Sequence, residues 1–178
     1  VGAATGTSTS AALAFGGEDG SVNIYSITED WNGSVWTEVA DMNNASYGNS
    51  GAGSSTRGLS MGSGPPGKAF TEEWNAGIAV GSWITGGNLN TARRYLAGFG
   101  IQTAALAVAG AEPSNSTLVE NYNGTSWTEI AEVNTARREL SGSGTTTSGL
   151  VFAGGPPATG KTEAWDGTSW TEVADLGT

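Results

Sequence analysis

Histidine and cysteine are both absent from the 178 residues of this chain. Their absence removes the commonest general base, the thiol nucleophile and the soft metal ligands together. A Ser-His-Asp triad and a His-ligated copper or zinc site are excluded, and no metal site is expected. Chemistry is left to carboxylates, arginines and aromatic rings. Paired carboxylates could hydrolyse a glycosidic bond, and Glu38, Glu129 and Glu172 are candidates. These three recur at one place in an internal repeat, however. Catalytic acids break the symmetry of a repeating scaffold, whereas repeated ones serve packing or solubility. The expectation is therefore no catalytic residue, no cofactor and no enzyme.

Arg93-Arg94 and Arg137-Arg138 could clamp a carboxylate or a sialic acid. Their repetition favours ion pairs or carbonyl contacts that lock neighbouring units. The tryptophans could stack on sugars, but their place beside turns suits packing better. Trp83 is the exception, because the enlarged loop before it would expose the ring. Glu18-Asp19-Gly20-Ser21 is an acidic turn that could hold Ca²⁺ weakly. It lacks the spaced oxygen ligands of a dedicated loop and reads as a solvated turn. Variable connections follow the second strand of each unit, as in Pro65-Pro66-Gly67-Lys68, Ala111-Glu112-Pro113-Ser114-Asn115 and Gly155-Pro156-Pro157-Ala158. Specificity would live there if these faces bind, so the candidate contact residues are Glu18, Asp19, Lys68, Trp83, Glu112 and Asn115. Asn32, Asn44, Asn115 and Asn123 open formal glycosylation sequons.

The elements that must position these residues come from one phrase repeated four times. Asp166-Gly167-Thr168-Ser169-Trp170-Thr171-Glu172-Val173-Ala174 is echoed at Asn123 to Ala131 and at Asn32 to Ala40, with a looser copy at Trp74 to Thr85. The anchoring tryptophans stand at 36, 83, 127 and 170, in steps of 47, 44 and 43 residues. A β-type unit with that period means a propeller or an array of stacked sheets. Each unit reads as four strands: a run of small residues, an apolar strand, a third strand ending in an aromatic, and a fourth that carries the tryptophan. Asn-Gly and Asp-Gly between the last two predict type I′ hairpins that place Trp165 opposite Trp170. Sustained helical periodicity is missing, so essentially no helix is expected. Each unit is too small to bury its apolar face alone and must lean on its neighbours.

Bulk composition narrows the partners. The net charge is −10, with 7 basic against 17 acidic residues. Nucleic acid needs a basic groove to displace counterions, and this chain cannot supply one. The acidity reads as solubility and self-repulsion. Membrane insertion is not expected, since no stretch approaches the ~18 apolar residues of a span. The opening Val1-Gly2-Ala3, with neither Met nor a signal peptide, is the expectation for a processed product or an excerpt of something longer.

Taken together, the small-residue strand, the apolar strand stopped by Gly16-Gly17 or Gly154-Gly155, the pairs Trp31/Trp36, Tyr122/Trp127 and Trp165/Trp170, and the Arg93 and Arg137 connectors resemble the kelch repeat. Repeat two departs from it with Gly62-Ser63-Gly64, and repeat three with Gly110-Ala111. The Asn-Gly-Thr-Ser-Trp-Thr-Glu and Asn-Thr-Ala-Arg-Arg wording is similar to tandem kelch-like repeats in structural proteins of aquatic bacteriophages. The resemblance implies an all-β, kelch-like β-propeller of four-stranded antiparallel blades, four in this chain, at about 1–46, 47–94, 95–138 and 139–178. Its small-residue strands would line the central channel. The implied role is a non-enzymatic structural or adhesive module on a virion surface or other extracellular site. It would present loops to a carbohydrate or protein partner, or assemble with copies of itself. The rival expectations are a carbohydrate-active enzyme and an intracellular kelch adaptor.

Overall fold

The computed structural model describes residues 2–64, 66–77 and 81–177. Pro65 and the Ile78-Ala79-Val80 part of the enlarged hairpin, both within stretches named above, lie outside the described residues, as do Val1 and Thr178. Among the described residues there is no helix, and sixteen strands form four antiparallel sheets. Blade one holds β1 (Ala3–Ser8), β2 (Ala11–Phe15), β3 (Thr28–Trp31) and β4 (Trp36–Glu38). Blade two holds β5 (Ser50–Gly53), β6 (Arg57–Ser63), β7 (Lys68–Asn75) and β8 (Ser82–Thr85). Blade three holds β9 (Ala97–Ile101), β10 (Ala104–Val108), β11 (Val119–Tyr122) and β12 (Trp127–Ile130). Blade four holds β13 (Ser141–Thr145), β14 (Ser148–Phe152), β15 (Thr162–Trp165) and β16 (Trp170–Val173). Each sheet runs in sequence order from its innermost strand outwards, and the four are ranged in a ring around one axis as a four-bladed β-propeller. They are joined in the succession one, two, three, four, with the seam between blades four and one left unpacked.

Space decides which residues build which strand. The inner strands β5 and β9 approach each other so closely that a Cβ on Gly98 would meet Met61 and Ser50 at 3.0 Å. A chain of backbone bonds crosses the blades there, from Glu139 N to Tyr95 O at 2.8 Å and from Tyr95 N to Gly48 O at 2.6 Å. Large rings fill the gaps between blades, Phe99 from inner strand β9 over Gly142 and Gly149 and the others from strands further out. Phe15, Trp74 and Trp83 share one core, Met61, Tyr122 and Trp127 a second, and Phe99, Val108, Trp165 and Trp170 a third.

The outer hairpins pair as expected, with Trp165 opposite Trp170, Tyr122 opposite Trp127 and Trp31 opposite Trp36. Their turns are not type I′, which requires positive φ at both central residues. Four residues separate the paired aromatics, and only the glycine (Gly33, Gly124, Gly167) has positive φ. The Asn or Asp side chain closes the loop instead: Asp166 Oδ1 accepts from Thr168 N and Ser169 N, both at 2.8 Å, and Asn123 Oδ1 accepts from Thr125 N and Ser126 N. This Asx-turn chemistry wants the same residue pair, which is why the sequence signal suggested the tighter turn.

The structure also re-registers the glycine doublet. The corner after the second strand pairs Gly16 with Gly17, Gly62 with Ser63, Ala109 with Gly110 and Ala153 with Gly154. The first member is left-handed in every case, at φ 66, 69, 57 and 60. Repeats two and three thus keep the corner although they lack the doublet. The second member's N–H reaches the following connector, from Gly17 to Ser46 O, Ser63 to Arg93 O and Gly110 to Arg137 O.

Candidate functional site

The register brings one set of loops to one end of the ring. Ala3 pairs with Phe15, Ser50 with Met61, Ala97 with Val108 and Ser141 with Phe152. The starts of the inner strands therefore share a face with the connections that leave β2, β6, β10 and β14. On that face the inner strands enclose an axial cavity of about 680 Å³, lined by Ala3, Asn49, Ser50, Tyr95, Glu139 and Ser141 among others. Tyr95 sits half-buried at its wall, edge-on to buried Tyr47 at 6.3 Å and beneath the Arg94 guanidinium at 5.5 Å. Burial, with Tyr95 alongside, pushes the Tyr47 hydroxyl above its ordinary pKa. Asn49 donates to Ser60 Oγ at 3.0 Å, and its Oδ1 has no hydrogen-bond partner. The cavity thus offers one tyrosine ring, amide and hydroxyl groups, and one glutamate, a lining suited to hydroxyl-rich or peptide ligands.

Of the six contact candidates, five lie on this face. Asp19 organises its own turn, accepting from Ser21 N, Asn23 N, Asn23 Nδ2 and Tyr25 OH. Those bonds, led by Asn23 and Tyr25, hold its pKa at about 2. Both oxygens are committed to turn-forming donors, and Glu18 bridges across the same loop to Ile24. Among the described residues no group of three or more acidic side chains could hold a metal ion. Glu112 accepts from Gly67 N of the blade-two connection, and Asn115 Nδ2 reaches Pro156 O of the blade-four connection at 3.3 Å. Lys68 fixes its neighbour through the backbone, its carbonyl accepting from Arg93 N. The loops are thus braced against one another, a condition for presenting a defined surface.

Trp83 corrects the expectation of an exposed ring. It is buried between blades one and two, 4.9 Å edge-on from Phe15, and donates from Nε1 to Thr28 Oγ1 at 2.9 Å. The enlarged hairpin leaves the ring in register: Trp83 pairs with Trp74, and Gly81 at φ 66 passes where any side chain would strike the Trp74 ring. Trp83 belongs to the scaffold and not to a contact surface.

The repeated charges are absorbed by the blade junctions. Arg93 is buried and donates to Ala109 O at 2.8 Å, Leu118 O at 2.7 Å and Glu120 Oε1 at 2.7 Å. Burial pulls its pKa down, against Glu120, which holds it up. The Glu120 carboxylate also accepts from Asn90 N, so the whole connector is fastened to the blade it enters. Glu163 likewise accepts from Asn134 N and Nδ2 and forms an ion pair with Arg137 at 3.2 Å, although the Arg137 guanidinium makes no hydrogen bond. Glu72 accepts from Asn43 and Asn44, Ser46 replacing the arginine there. The Asn44 amide is therefore committed to Glu72. Glu72, Glu120 and Glu163 escaped the sequence reading, although a Glu two positions before each third-strand aromatic was visible. Glu38, Glu129 and Glu172 instead lie exposed on outer strands. No protein-family model matches the chain, and no curated protein matches it.

Proposed function

We propose that the chain is a kelch-like display module, without enzymatic activity, that offers the loop-bearing face of a rigid propeller to a carbohydrate or protein partner. One observation carries this reading. At the three internal junctions the repeated tryptophans, glutamates and connector arginines join blade to blade, while residues that differ between repeats lie on the loop-bearing face. Asn49, Tyr95 and Glu139 line the axial cavity, and Glu112 and Asn115 stand in the connections of the same face. Asn49, Tyr95, Glu139 and Asn115 have no counterparts of their own kind at the matching places of the other blades. Kelch-like membership is supported by the distinct structural use of each mark: the left-handed corner, the aromatic pair and the connector arginine. A setting on a virion or cell exterior rests on the likeness of the repeat wording to bacteriophage structural proteins.

A glycan-binding screen, with Tyr95→Ala and Glu112→Ala as controls, tests the reading. Binding by the native chain that is lost in Tyr95→Ala, with the melting temperature retained, supports recognition at the axial cavity. Binding unchanged by both substitutions would place the contact elsewhere and end this assignment. A screen with no bound glycan removes carbohydrate as the partner class and leaves protein.

A further inference from the structure

Three blade junctions in this molecule are built alike, and a fourth is present only as two separated halves. In each complete junction, the leading blade supplies an aliphatic face and an apolar connector residue. The following blade supplies an aromatic pair and a buried glutamate. Leu13, Phe15 and Met42 meet Trp74 and Trp83; Leu59, Met61 and Leu89 meet Tyr122 and Trp127; Leu106, Val108 and Val133 meet Trp165 and Trp170. The indole of the second aromatic donates across the gap, from Trp83 to Thr28 Oγ1 at 2.9 Å, from Trp127 to Thr71 Oγ1 at 3.0 Å and from Trp170 to Ala131 O at 3.1 Å.

Blade one carries the following half with nothing seated on it. Trp31 and Trp36 stack at 5.4 Å as the other pairs do, yet Trp36 is 47% exposed where Trp83, Trp127 and Trp170 are 5, 5 and 7%. Glu29, the counterpart of Glu72, Glu120 and Glu163, is exposed and has no hydrogen-bond partner among the described residues. Blade four carries the leading half. Leu150 is 43% exposed, and Leu176, at the place of Met42, Leu89 and Val133, is 47% exposed where those are 5, 3 and 3%. Thr162 stands at the place of Thr28 and Thr71, and its hydroxyl donates to Gly160 O at 3.4 Å without accepting a hydrogen bond among the described residues. Within one chain the two halves do not meet: the inner strands pack in the succession β1, β5, β9, β13, and among the described residues no hydrogen bond joins blade one to blade four.

We propose that the blade-one face of one copy docks on the blade-four face of a second copy, remaking the internal junction between chains. The occupant is defined by the three completed junctions: an aliphatic sheet face with a threonine acceptor for the Trp36 indole, and an aromatic pair for Leu150 and Leu176. The two faces differ, so the contact is head-to-tail. Two copies that satisfy both contacts close on each other, and a rotation that does not close gives an open chain of copies. Trp36, Leu150 and Leu176 do not line the axial cavity, so their replacement is separable from the test of the loop face.

Sedimentation of the 178-residue chain across a dilution series, with Trp36→Arg and Leu150→Arg, tests it. The native chain is expected to associate reversibly, and each variant to weaken association by about thirtyfold or more, as loss of a central anchor does. Both side chains are exposed in the single chain, so circular dichroism should be unchanged and both variants should stay folded, with Trp36→Arg melting slightly lower through loss of its stack on Trp31. Mixing the two variants is expected to restore a one-to-one dimer, because one retains an intact blade-four face and the other an intact blade-one face. A native chain that stays monomeric throughout overturns the proposal, as does one that associates undiminished in either variant. Failure of the mixed variants to pair overturns it equally, since that would place self-association on another surface.

Discussion

At the residue scale, position in the blade sorts the glutamates into two groups with opposite energetics. Glu120 is buried against Arg93 and also caps Asn90 N and Thr91 N of the connector. Removing one member of a buried pair strands the other charge without solvent or partner, so Glu120→Ala is expected to destabilise by about 3–5 kcal/mol in urea unfolding. Glu129 lies on the facing outer strand, directly opposite Glu120 in the register but turned to solvent. Glu129→Ala is expected to stay within about 0.5 kcal/mol of the native chain. Equal losses at the two positions would mean that the connector is not held by its carboxylate. The buried set was legible only as a spacing, a Glu two residues before Trp74, Tyr122 or Trp165. Its burial was not, because the same place in the repeat is exposed at Glu29, where no blade is seated, so burial is conferred by the neighbouring blade and not by the strand itself.

At the scale of elements, the outer hairpin changes its worth with its neighbours. Trp83 and Trp36 occupy the same place in the repeat, and both pair across an Asx-closed or enlarged turn with another tryptophan. Trp83 fills the gap between blades one and two, so Trp83→Ala is expected to cost about 3–5 kcal/mol, the range for truncating a large core aromatic. Trp36 keeps only its stack on Trp31 in the single chain, and Trp36→Ala is expected to cost about 1 kcal/mol. Chemical denaturation of dilute protein, where association is absent, measures the difference. A Trp36→Ala loss as large as that at Trp83 would mean that blade one is packed on both sides within one chain. Sequence placed both tryptophans at paired positions, and it assigned exposure to the wrong one. The insertion before Trp83 suggested a displaced ring, whereas the chain absorbs extra length beyond the turn and preserves pairing. What exposes Trp36 is the lack of a blade seated on it, which no local feature of its hairpin announces.

At the scale of the molecule, each blade leans only on the blades beside it, so stability is distributed along the ring and not pooled in one core. Blades two and three are covered on both faces; blades one and four are covered on one. Amide exchange in dilute solution is therefore expected to be slowest in β6 and β10, and faster in β14 and in the outer strand β4, by mass-spectrometric readout. Uniform protection across all four blades would contradict this nearest-neighbour picture. The acidic surface fits the same design, since self-repulsion discourages indiscriminate stacking of copies while a matched apolar face can still overcome it.

By itself the sequence determined the unit and its strands, because a mid-forties period, alternating apolar residues and Asn-Gly or Asp-Gly turns are local instructions that any sheet of this kind must obey. It also determined that small residues dominate the inner strands, where Gly98 has no room for a Cβ, while the one large ring there, Phe99, is accommodated over Gly142 and Gly149. Only the tertiary structure decided which repeated residues face a neighbour, that Glu72, Glu120 and Glu163 hold the connectors, and that Lys68, Glu112, Asn115 and the Asp19 turn share a face while Trp83 does not. Those outcomes depend on contacts between residues tens of positions apart, and burial in a ring is conferred by the blade next door.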